Sequence, residues 1–120
     1  MTSPSQSLSR FEKNLSRSLT TRGKDLLASN NLIAAVSRLE PLEVYFIVKE
    51  LGIGTATPIL LASSADQLQA FVDLDCWVND QLDLEEIDAW LAPFAGLGPH
   101  ALTAAFLSLD EELQVVYLKQ

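Results

Sequence analysis

The stretch richest in possible ligands is acidic and lies in the middle of the chain, at residues 73–83, where the sequence reads DLDCWVNDQLD. Ca²⁺ and Mg²⁺ prefer oxygen donors. Four carboxylates of this stretch are therefore candidate cation ligands: Asp73, Asp75, Asp80 and Asp83. An EF-hand loop that began at Asp73 would need an oxygen ligand at Trp77, a glycine at Val78 and a glutamate at Leu84, so the EF-hand pattern fails.

A looser Mg²⁺ site on one or two of these carboxylates stays open, because Mg²⁺ keeps several of its waters when it binds a protein. The alternative is structural: the acidic residues cap helices and solubilise a turn around Trp77, which packs between helical units. We favour the structural interpretation and predict no metal site and no cofactor.

Cys76 and His100 are the only cysteine and the only histidine of the chain. One of each cannot complete a zinc site within the chain, and a single thiol cannot form an internal disulfide. A Cys76–His100 nucleophile pair would require the fold to bring the two together beside an oxyanion hole. We expect instead a buried Cys76 and a surface His100. No catalytic residue is predicted, and we expect the chain not to be an enzyme.

The elements that position these residues are predicted to be helices throughout. Leu8, Phe11, Leu15 and Leu19 recur in steps of three and four, which is typical of one helical face. Residues 20–23 predict a break after that helix. We therefore expect residues 1–22 to be a basic, Ser-rich segment, disordered over residues 1–6 or forming one amphipathic helix. Residues 23–120 are expected to form a helical-repeat domain.

Caps and stops divide the rest of the chain into short helices. Good N-caps precede the predicted helices: Asn30 or Asn31, Ser63 or Ser64, Asp83, and Ser108 or Asp110. Gly52 is a typical helix stop, and Gly96 and Gly98 flank another. No alternation is long enough to predict a strand. The predicted helices cover residues 24–28, 32–39, 42–51, 59–62, 65–74, 84–94, 99–107 and 111–119.

The segments repeat with a period near 43 residues. A shift of 43 places Leu51 on Phe94 and Ile59 on Leu102, and a shift of 45 places Leu68 on Leu113. Such a period is typical of helical solenoids, in which neighbouring units stack to bury their apolar faces. The last predicted helix has no C-cap, so we expect a truncated chain or the first part of a longer solenoid.

Three blocks of sequence carry a resemblance to a known family. They are LEVYFIVKELG at residues 42–52, QLQAFVDLDCW at 67–77 and LDLEEIDAW at 82–90. These blocks resemble domain-of-unknown-function family 6178, a set of longer, uncharacterised bacterial proteins, over residues 30–118. More distantly, the helix pattern is similar to the N-terminal superhelix of MgtE-type magnesium transporters. The resemblance implies a bacterial origin and an all-α, armadillo- or MgtE-N-like superhelical stack of seven to nine short helices, but no activity.

Charge is distributed unevenly over the 120 residues, whose net charge is −8. Residues 1–39 carry six basic and two acidic groups, whereas residues 40–120 carry two basic and fourteen acidic groups. An acidic body repels nucleic acid and anionic membranes, so neither is an expected partner. No signal peptide or membrane-spanning run is visible, which predicts a cytoplasmic location. The basic, Ser-rich start also resembles a transit peptide weakly.

These features favour a non-enzymatic protein-interaction or scaffold module. Its partner would be a basic protein or peptide, or the remainder of a longer chain, because solenoids present extended surfaces and this one is acidic. The alternative is a Mg²⁺-responsive regulatory domain, in which the cation screens acidic helices and changes their packing. Partner identity and oligomeric state stay open.

Overall fold

The protein is mostly helical, which confirms the all-α class. A computed structural model describes the backbone of residues 4–119 and the side chains of residues 7–119. Within that range, eight helices and one small hairpin follow in the order α1 (Pro4–Leu27), α2 (Leu32–Ser37), α3 (Pro41–Leu51), α4 (Thr57–Leu61), α5 (Ala65–Asp75), β1 (Trp77–Val78), β2 (Gln81–Leu82), α6 (Leu84–Ala95), α7 (Pro99–Leu107) and α8 (Glu111–Leu118). None of these helices is long and apolar enough to cross a membrane.

The predicted break at residues 20–23 is wrong, because α1 runs without interruption across them and past the boundary predicted after residue 22. Gly23 serves helix packing instead. A Cβ there would lie 2.5 Å from Leu51 Cδ1 and 3.1 Å from Ile47 Cγ2, so the missing side chain lets α1 approach α3 closely. Of residues 1–6, predicted to be disordered, residues 1–3 lie outside the described part and residues 4–6 already belong to α1.

Four helices begin at N-caps that the sequence predicts. The side chains of Asn31, Ser64, Asp83 and Asp110 each accept a hydrogen bond from the backbone N–H three residues further on. Gly52 ends α3 with φ of 85°, a conformation that suits glycine. Of the two alternatives for α8, Asp110 is the N-cap, whereas Ser108 ends α7.

A two-stranded hairpin occupies the turn between α5 and α6, where no strand was predicted. Trp77 pairs with Leu82, and Val78 pairs with Gln81. The two residues between the strands, Asn79 and Asp80, have φ values of 51° and 64°. Two consecutive positive φ values are typical of the tight hairpin turns whose twist matches that of the strands. The local turn chemistry therefore creates strands too short to leave a periodic pattern.

The core forms where α3 packs between α1 and α5, and where α6 packs against α4, α5 and α7. Its centre is aromatic: the Phe71 and Trp90 rings stack with centroids 5.3 Å apart, and Tyr45 stacks on Trp90 at 6.1 Å. The largest completely buried side chains come from α2, α3, α4, α5, α6, α8 and the residue after α5: Trp90, Phe71, Ile47, Ile59, Leu60, Ile87, Leu113, Val36, Val44, Val48, Val72 and Cys76.

Gln67 connects the start of α5 to the end of α2 and is the one buried polar residue of the described part. Its amide nitrogen donates to the Val36 carbonyl at 2.9 Å and to the Leu39 carbonyl at 3.1 Å. Its amide oxygen accepts from the Ser64 backbone N–H and completes a capping box. One side chain thus satisfies two carbonyls at the end of α2 and one donor at the start of α5.

We expect Gln67→Glu to lower the free energy of unfolding by at least about 2 kcal/mol, because a carboxylate cannot donate to the two carbonyls and is buried next to them. The exposed Gln81→Glu is the matched control for the added charge. Urea titration followed by far-UV circular dichroism measures both. Equal stability of the two variants would contradict the assigned role of Gln67.

Candidate functional site

The four candidate cation ligands lie close together in the sequence, but the structure gives each of them a different environment. Asp73 and Asp75 lie in the last turn of α5, Asp80 lies in the hairpin turn, and Asp83 caps α6. Among the described residues, no group of three or more His, Cys, Asp or Glu side chains is arranged to hold a metal ion. These carboxylates therefore have different structural roles and do not form a common site.

Asp75 points into a junction of three helices. Its carboxylate accepts hydrogen bonds from the Tyr45 hydroxyl at 3.0 Å and from Trp90 Nε1 at 2.9 Å. Lys49 Nζ lies 3.2 Å from Asp75 Oδ2 and forms a salt bridge with it. Tyr45 and Lys49 belong to α3 and Trp90 to α6, so both oxygens of Asp75 are occupied by donors from neighbouring helices.

Protonation at this junction follows from burial and from these donors. Burial raises the pKa of Asp75, but the hydrogen bonds from Trp90, Lys49 and Tyr45 outweigh it and hold the pKa below its ordinary value of 3.8. Burial, followed by the hydrogen bond to Asp75, raises the pKa of Tyr45 to about 12. Burial and then the neighbouring Asp75 carboxylate raise the pKa of Glu86. The junction therefore favours a charged Asp75 and disfavours a charged Glu86.

A surface depression of about 410 Å³ lies between the end of α5, the hairpin and the start of α8. We call it the acidic depression, and it is lined by Asp73, Trp77, Asp80, Asp110 and Glu112. Only two of the four candidate ligands, Asp73 and Asp80, line it. Trp77 is half-buried, so part of the indole is accessible there.

Gln69 holds two of these carboxylates next to each other. Its Nε2 donates to Asp73 Oδ1 at 2.8 Å and to Asp110 Oδ2 at 3.0 Å, while its Oε1 accepts from the Asp110 backbone N–H at 2.7 Å. The amide thus bridges two negative charges that would otherwise repel each other. Asp80 and Glu112, by contrast, have no hydrogen-bond or ion-pair partner among the described residues.

Sequence reasoning missed Asp110 and Glu112 as members of a site. Both lie at the start of α8, where acidic residues are expected for helix capping and for the helix dipole. Their contribution to the depression depends on where α8 packs, and the Gln69–Asp110 contact joins residues 41 positions apart. The sequence signal was present as an excess of acidic residues but had no spacing that indicated a shared site.

Cys76 and His100 are not in hydrogen-bonding contact among the described residues. Cys76 is completely buried behind the junction, whereas His100 is exposed in the first turn of α7. Burial, and next the charge of Asp75, raises the pKa of the Cys76 thiol to about 12, so the thiolate needed for nucleophilic attack is scarce at neutral pH. The expected buried cysteine and surface histidine are confirmed.

The fold and this site define a class: a helical protein with an acidic, aromatic-lined surface depression. Over residues 5–120 the sequence matches a family of unknown function (DUF6178), and the chain belongs to that family. Comparison with curated proteins and with solved structures found no significant match. The more distant similarity to the MgtE N-terminal superhelix therefore stays a prediction.

We expect Asp75→Asn to lower the free energy of unfolding at pH 7 by roughly 2 kcal/mol, because the amide replaces one acceptor with a donor that faces other donors. The folded-state pKa of Asp75 is depressed, so its stabilising contribution is complete above its ordinary pKa and is lost as the pH falls through the folded value. Wild type and Asp75→Asn should therefore converge in acid. Asp80→Asn is the control, because Asp80 is exposed and its side chain has no hydrogen-bond partner among the described residues. Denaturant titrations across the pH range would refute the prediction if both variants behaved alike.

The contribution of Glu86 to stability is expected to change with pH in the opposite direction to that of Asp75. Because its folded-state pKa is raised, the folded protein loses stability as the pH rises through that value, and the loss is absent below the ordinary pKa of 4.5. We expect Glu86→Gln to have a higher melting temperature at pH 7 than the matched variant Glu85→Gln, whose site is exposed. The difference should vanish in acid. Thermal melts at both pH values measure it, and equal melting temperatures at pH 7 would count against this assignment.

Proposed function

We propose that the chain is a non-enzymatic, cytoplasmic protein-interaction module that binds a basic segment of a partner protein in the acidic depression. The observation that carries this proposal is the combination of four carboxylates with an accessible indole in one concave surface. Lysine and arginine side chains are attracted by the charge and can lie on the face of Trp77. The partner segment belongs to another protein or to the remainder of a longer chain.

Hydrogen bonds that already order part of the depression support this proposal. Gln69 fixes Asp73 and Asp110 in place before any ligand arrives, so their ordering does not have to accompany binding. Asp80 and Glu112 keep unpaired charge, which is available to a cationic side chain. Electrostatic complementarity of this kind increases the rate of association and excludes acidic partners.

The order of the helices supports a scaffold architecture for the module. We propose that α3–α5 and α6–α8 are two units of a superhelical stack. The first helix of each unit ends at a glycine, Gly52 or Gly96, and the second begins with a proline in its first turn, Pro58 or Pro99. Stacked units of this kind present continuous surfaces to partners.

The alternative of a Mg²⁺-responsive domain has less support. Both oxygens of Asp75 are occupied, and Asp83 accepts the Glu86 backbone N–H as the cap of α6. Both oxygens of Asp110 are occupied by Leu113 N–H and Gln69. Asp80 and Glu112 alone would give a weak, largely hydrated site.

A synthetic amphipathic peptide of arginine and leucine tests the proposal, with a glutamate-for-arginine version as the negative probe. Binding should change the fluorescence of Trp77, whereas the completely buried Trp90 serves as an internal reference. We expect Asp80→Asn with Glu112→Gln to weaken binding by about tenfold, since each exposed charge contributes modestly. Asn tolerates the positive φ of position 80.

The matched control carries Asp66→Asn with Glu85→Gln, two exposed acidic positions outside the depression. Raising the salt concentration should weaken peptide binding through charge screening. The proposal is wrong if the arginine peptide and the glutamate peptide bind equally, or if the control and the depression variant lose the same affinity. Loss of peptide binding in millimolar Mg²⁺, beyond that caused by equal ionic strength, would favour the cation-responsive alternative.

A further inference from the structure

The first half of α1 has an uncovered helical surface. We call residues 7–18 the basic arm, and every side chain in it is exposed except Ser16, which is half-buried and donates to Glu50. Leu8, Phe11 and Leu15 are 58%, 63% and 48% exposed. Their spacing places all three on one side of the helix, where they form an apolar stripe.

The stripe continues a face that is already used for packing. Further along the same side of α1, Leu19 and Leu26 pack against the hydrophobic core. The salt bridge between Arg22 and Glu43, at 2.6 Å, belongs to this packed half. An apolar face that extends beyond its own core, on about 18 Å of helix, requires another surface to cover it.

The charges of the arm lie away from the stripe. Arg10, Lys13 and Arg17 lie on the opposite side of the helix, and none of them has an ion-pair partner among the described residues. Two copies can therefore bring their stripes together without bringing these cations into contact. The body of the chain, residues 40–120, carries fourteen acidic and two basic groups.

We infer that the stripe is covered by the same stripe of a second copy, in an antiparallel arm–arm pair. An antiparallel pair places the tip of each basic arm towards the acidic body of the other copy. A parallel pair would instead set the two acidic bodies side by side and the two basic arms side by side. The contact is isologous, which means that each copy contributes the same stripe. No stripe is left uncovered, so the assembly closes as a dimer.

This pairing has a defined register. If the two-fold axis that relates the copies passes between residues 11 and 12 of each arm, Leu8 of each copy faces Leu15 of the other. Leu8 of one copy is then displaced from Leu8 of the other by about 10 Å along the axis. Cysteines at the two Leu8 positions would exceed the roughly 7 Å between Cα atoms that a disulfide spans. The native Cys76 is completely buried and does not compete in such an experiment.

Sedimentation velocity of the full chain over a concentration series tests the association. We expect a monomer–dimer equilibrium, and Phe11→Asp should weaken it by at least about tenfold by placing a carboxylate in an apolar contact. Ile33→Asp is the matched control, because Ile33 is 69% exposed but lies on α2. A chain that stays monomeric, or a dimer equally sensitive to both substitutions, would overturn the inference.

Disulfide trapping tests the orientation. Leu8→Cys and Leu15→Cys chains of different tag length are mixed and oxidised, and the mixed 8–15 dimer should form faster than the 8–8 dimer. Predominant 8–8 dimer indicates a parallel pair and overturns the proposed arrangement. A monomer that binds vesicles of phosphatidylglycerol through Phe11 would assign the stripe to lipid and also overturn it. Neither result bears on peptide binding in the acidic depression, so the two proposals fail separately.

Discussion

The fold depends above all on the solvation of one carboxylate by protein donors. Asp75 is largely removed from water, with 15% of its side chain exposed, and three side chains from α3 and α6 replace the lost water. Removing one member of such a set leaves a charge with too few partners, which costs more than the net contribution of the set. The same contacts hold Tyr45 and Trp90 in the stacked arrangement that fills the centre of the core. Packing and polar contacts therefore specify one mutual orientation of α3, α5 and α6.

The position of the acidic depression follows from that junction. The chain leaves α5 directly after Asp75, and Cys76 is buried before the hairpin begins. The tight turn at Asn79 and Asp80 then returns the chain to Asp83, the N-cap of α6. Trp77 and Asp80 are thereby placed next to the start of α8. A surface that concentrates negative charge is tolerated because Gln69 and the helix caps provide donors to several of its oxygens.

A glycine and an aspartate show why residue type alone does not define a residue's role. Glycine is a poor helix former, and Gly23 belongs to the predicted break at residues 20–23, yet it lies inside a helix where a side chain would meet α3. Position in the sequence places Asp75 among four candidate carboxylates, yet its neighbours in space are a tyrosine, a lysine and a tryptophan. In both cases the role of the residue is set by a contact with residues that are distant in the sequence.

Local patterns along the chain indicate most of the helices, their caps, the glycine stops and the division into a basic start and an acidic body, although they place a break inside α1. These properties depend on residues three or four positions apart or on composition, and both can be read along the chain. Packing of the helices in three dimensions sets which acidic residues share a surface, which one is largely shielded from water and which glycine permits close packing. The contacts responsible join residues 15 to 41 positions apart, as in Trp90–Asp75 and Gln69–Asp110, and no local spacing encodes them.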